Sequence, residues 1–160
     1  ATSLTLQQAV LAPNDFSSGA TSQSGSDVPD LTSIKCTPSQ TSGLQQQYKS
    51  EVTANSGRIY GNVVAGFDNA DDAHSFITQF YSGAQSCSDA SAAPIQDNFG
   101  TDSFYFTITA SPNDLRVEAV QVNQIITLII QLLPSGTQPD QQSLRDLTQA
   151  SVNKVQNVSS

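Results

Sequence analysis

The chain has 160 residues, enough for one domain with a real hydrophobic core. Only 12% of residues are charged, 6 Lys and Arg against 14 Asp and Glu, for a net charge of -8. That balance, without a basic cluster, excludes nucleic-acid binding through phosphate neutralisation and docking on an anionic membrane surface.

Leu4, Leu6, Ala9, Val10 and Leu11 lead into Pro13-Asn14-Asp15-Phe16, where Pro13 suits the opening of a short helix. Residues 17–27 are rich in Ser and Gly without hydrophobic anchors and read as a mobile loop. Leu31 to Cys36 reads as a short strand, residues 37–47 as a second mobile loop, and Tyr48 to Thr53 as another short strand. Then Ile59, Gly61, Val63, Ala65 and Phe67 alternate with Tyr60, Asn62, Val64 and Gly66, the period of a β-strand. Asn69 is placed to cap the helix that follows, and Asp71 and Asp72 suit the positive end of its dipole. Ala73, Phe76, Ile77, Phe80, Ala84 and Cys87 form one apolar face of that helix.

Ser88 to Asp102, with Pro94 and Gly100, reads as a linker. Three strands follow. Phe104, Phe106 and Ile108 alternate with Tyr105, Thr107 and Thr109; after the Ser111-Pro112-Asn113-Asp114 turn, Leu115, Val117 and Ala119 oppose Arg116 and Glu118. A tight turn near Val122 and Asn123 leads into Gln124 to Leu133, apolar on both faces and therefore central. Thr137-Gln138-Pro139-Asp140 resembles a capping box for a closing helix over about 139–156 that buries Leu144, Leu147, Val152 and Val155, with Arg145 and Asp146 facing water. The order β-α-β-β-β-α, after a loosely structured N-terminal third, predicts a single α+β domain over 1–160. Its antiparallel sheet is expected to carry both helices on one face.

Chemistry is sparse. Cys36 and Cys87 are too few for a zinc site; they read as a structural disulfide, as two core thiols, or as a redox pair without the CxxC spacing. His74, the single histidine, falls off the apolar stripe and reads as a surface residue. Asp68, Asp71 and Asp72 lack the alternation of a calcium loop, and no Gly-x-Ser-x-Gly elbow or phosphate loop occurs, so no catalytic residue, metal ligand or cofactor is assigned. What remains is apolar: Phe104, Phe106, Ile126, Leu128 and Ile130 read as core or as the lining of a cleft or partner surface, and Arg58 and Arg116 as surface arginines or as candidates to hold an anionic head group. The longest greasy run, Ile125 to Leu133, is too short to span a bilayer, so no transmembrane segment is read. Ala1 stands where an initiator Met would, which sets the expectation of a mature ectodomain separated from a leader or anchor.

The segment Val63-Val64-Ala65-Gly66-Phe67-Asp68-Asn69-Ala70-Asp71-Asp72-Ala73-His74-Ser75-Phe76, running on to Cys87, resembles the extracellular sensor domains of mycobacterial PknH-type kinases and related actinobacterial envelope lipoproteins. Arg116-Val117-Glu118-Ala119-Val120-Gln121-Val122-Asn123-Gln124-Ile125-Ile126 is similar to that family's arginine-led strand, Asn turn and apolar strand. A second disulfide that brackets the late hairpin in the family has no cysteines here. The resemblance implies an extracytoplasmic, secreted or envelope-anchored domain, a Cys36–Cys87 disulfide, and a cleft for a small or lipidic apolar ligand. It brings no catalytic residues. The other function class left open is a structural or protein-interaction module of the envelope, with an envelope protein as partner and no ligand cavity.

Overall fold

The structure is a computed structural model, and it describes residues 6, 9–11, 21–23, 43–53, 59–95, 102–109, 113–134 and 138–159. Its elements in chain order are β1 (Thr21–Gln23), β2 (Leu44–Thr53), β3 (Ile59–Phe67), α1 (Ala70–Ser86), β4 (Ala90–Pro94), β5 (Asp102–Ile108), β6 (Asn113–Val122), β7 (Ile125–Pro134) and α2 (Gln141–Ser159). Among the described residues the strands form one antiparallel sheet in the order β1-β2-β3-β7-β6-β5-β4. The α+β class is as expected. β7 lies in the middle, where a strand apolar on both faces has to lie.

The expectation of both helices on one face is corrected: they lie on opposite faces. Val63, Ala65, Phe67, Ile126, Leu128 and Ile130 pack with Phe76, Ile77 and Phe80 of α1. Their strand neighbours Tyr60, Val64, Ile125 and Ile129 pack with Leu144, Leu147, Val152 and Val155 of α2. Successive strand residues point to opposite faces, so the two-sided apolar pattern of β7 needs a cover on each side. One helix supplies each cover.

Asn69 caps α1 as read, its Oδ1 accepting from the Asp72 N–H at 2.8 Å. Gly43 closes over this cap with φ of 81°, and its C=O accepts from the Asp68 N–H at 2.8 Å. A Cβ at Gly43 would overlap Asp72 Oδ2 and lie 2.7 Å from Asp72 Cγ, in a backbone region that L residues rarely adopt. Gly43→Ala is therefore expected to cost about 1–3 kcal/mol in urea unfolding, with an unchanged denaturant slope. At α2 the cap is Asp140 itself, whose Oδ1 accepts from the Ser143 N–H at 3.1 Å; this replaces the capping box led by Thr137, which lies outside the described residues. Asn123, with φ of 56°, makes the tight β6–β7 turn, a conformation asparagine tolerates.

Three stretches read as connections are partly strand. Ala90–Pro94, inside the expected linker, pairs with β5, and Leu44–Gln47, inside the expected loop 37–47, extends β2 against β3. Thr21–Gln23, within the expected loop 17–27, pairs with Thr53–Glu51 of β2. The strand expected at Leu31–Cys36 and the helix opening at Pro13 lie outside the described residues.

Candidate functional site

The residues expected to line a cleft belong to the layer between α1 and the sheet. Phe106, Ile126, Leu128 and Ile130 are each 0% exposed. The Phe106 ring stacks on Phe80 of α1 with centroids 4.2 Å apart and planes 8° from parallel. A space large enough for a guest leaves accessible surface on the atoms that line it, and these four residues have none. In this conformation the layer around them is filled by the domain's own side chains. Phe104 alone of the five is half-buried, stacked at 4.4 Å on Tyr81 at the rim of α1.

Arg116 is not part of this layer. Its neighbours in β6, Leu115 and Val117, face α1, so Arg116 and Glu118 face α2, and among the described residues Arg116 Nη1 donates to the Leu115 C=O, at 3.2 Å. Arg58 lies outside the described residues, as does Cys36. Cys87 follows the last turn of α1, its N–H donating to the Ala84 C=O at 3.3 Å, and it is not a free thiol.

The α2 side carries a buried polar layer that sequence reasoning missed. Asn62, 1% exposed, is its hub. Its Nδ2 donates to Thr127 Oγ1 at 3.0 Å and to the Leu128 C=O at 2.9 Å, and its Oδ1 accepts from the Leu11 N–H at 2.9 Å. Thr127 Oγ1 in turn meets Ser151 Oγ of α2. At the start of α2, Gln131 Oε1 accepts from the Asp140 N–H and Nε2 donates to the Asp140 C=O, both at 3.0 Å, while Tyr60 OH meets Ser143 Oγ at 2.8 Å. Further along the helix, Arg145 Nε donates to Glu118 Oε2 at 3.3 Å; the expectation that Arg145 faces water is corrected, because a fully buried carboxylate draws its guanidinium inward. The signal was present as Thr127 and Gln131 on one face of an otherwise apolar β7. Asn62→Ala strips Thr127, Leu128 and Leu11 of a shared partner and is expected to cost about 2–3 kcal/mol in denaturant unfolding.

His74 is exposed, as expected, and its Nδ1 meets Asp102 Oδ2 at 2.6 Å, joining α1 to the start of β5. Among the described residues no hydroxyl or thiol hydrogen-bonds the other ring nitrogen, so the pair is a surface strut without a nucleophile. No group of three or more His, Cys, Asp or Glu that could hold a metal is found among the described residues. No helix among them is long and apolar enough to cross a membrane. The β4 edge is blunt: Asp89 and Ile95 bond inward to β5, which leaves Ala92 as the one strand residue offering both backbone groups outward, and Pro94 has no N–H.

These features define an α+β domain in which an antiparallel sheet lies between two helices, with an apolar layer on one side and a mixed apolar and polar layer on the other. No known protein family and no curated protein matches the sequence. Among solved structures the chain is similar to the extracellular domain of PknH from Mycobacterium tuberculosis, at 14% identity and a TM-score of 0.51. The match covers 72% of this chain and 66% of that one, just under two thirds of its length. Identity this low speaks for a shared fold, and the fold agrees with the resemblance carried by residues 63–76.

Proposed function

We propose that the chain is a non-enzymatic domain that works outside the cytoplasmic membrane, the sensor-type or interaction part of an envelope lipoprotein or receptor, and that it acts through its surface. The single observation that carries this reading is the filled layer at Phe106, Ile126, Leu128 and Ile130, set in a fold similar to an extracellular domain. A composition rich in uncharged polar Ser, Thr, Gln and Asn, with only 12% of residues charged, supports it, since it leaves little charge to desolvate against a protein partner. Its partner is an envelope protein. A disulfide between Cys36 and Cys87 belongs to the same proposal, supported by Cys87 not being a free thiol just beyond α1. Non-reducing peptide mapping is expected to recover the cross-linked pair, and free thiols at both positions would remove the oxidising compartment from the account.

A second reading, a small or lipidic apolar ligand, is favoured by the half-buried Phe104–Tyr81 stack at the rim of α1. Entry there requires α1 to lift off the sheet. Native mass spectrometry of the protein purified gently from its own envelope separates the two. The mass of the chain alone is expected; an added apolar molecule that solvent extraction removes would instead establish the second reading.

A further inference from the structure

We draw no further inference here: the strongest candidate, the surface patch on the α2 side of β4, β5 and β6 where Ser91 and Ala93 are exposed and Tyr105, Thr107 and Arg116 half-buried, carries nothing because nothing in the structure shows what covers it.

Discussion

Phe106→Ala is expected to destabilise the domain by about 3–5 kcal/mol, the range for truncating a fully buried aromatic ring. Phe106 has no exposed surface, stacks on Phe80 and stands beside Phe104 with centroids 6.4 Å apart. The helix and sheet backbones on either side resist closing a ring-sized space, so the cost adds a cavity to the lost burial. Urea unfolding should show a lower midpoint at an unchanged slope. The vacated space is apolar, so it should stay dry and accept benzene, where the native chain accepts none. A loss below about 1 kcal/mol would mean that the layer under α1 is loosely packed, and the surface-acting reading would lose its main support.

Arg145→Ala is expected to cost about 3–5 kcal/mol by stranding the Glu118 carboxylate, which is 0% exposed and held by Arg145 Nε. Replacing both members, Glu118→Leu with Arg145→Met, should recover most of that loss. Among the described residues no donor reaches Glu118 Oε1, so the pair is incompletely satisfied and its desolvation outweighs much of its attraction. A double-mutant cycle in denaturant unfolding measures the coupling; near-additive losses would place the cost in lost packing of the Arg145 stem. This ion pair and the Asn62 hub together fix the angle at which α2 crosses the sheet. Asn62 ties β3 to β7 and, through Thr127, to Ser151, while Arg145 ties the second turn of α2 to β6.

The β3–α1 unit was legible because three independent signals agree there: the alternation of Ile59–Phe67, the Asn69 cap, and the stripe Ala73, Phe76, Ile77, Phe80 and Ala84, all buried. β6 and β7 were legible for the same reason, with Asn123 marking the turn between them. β4 was not. Ala90-Ser91-Ala92-Ala93-Pro94 has no β-branched or aromatic residue, and its extended form comes from pairing with β5 rather than from its own preference. The face chosen by α2 was illegible because the chain from Pro134 to Asp140 can return to either side of a strand that is apolar on both. The choice is made by residues far apart in sequence, Asn62, Glu118, Thr127 and Gln131, whose polar groups match Ser151, Arg145 and Asp140. At Phe106, Ile126, Leu128 and Ile130, where a cleft was expected, no side-chain surface is exposed, so the sheet face under α1 is closed at those four residues.

Among the candidate site residues, Phe106, Ile126, Leu128 and Ile130 pack in one layer with the solvation of a core. Arg116 shares no face with them, so a head group at Arg116 and an acyl chain beside Phe104 would lie on opposite sides of the sheet. That separation weighs against a single amphipathic ligand bridging the two.

Xenon pressurisation of crystals of the native chain tests the sealed interior most directly, because xenon enters apolar voids and needs no polar partner. The account expects no xenon between α1 and the sheet, and one site at the vacated ring in Phe106→Ala. Xenon bound among Phe106, Ile126, Leu128 and Ile130 of the native chain would contradict it.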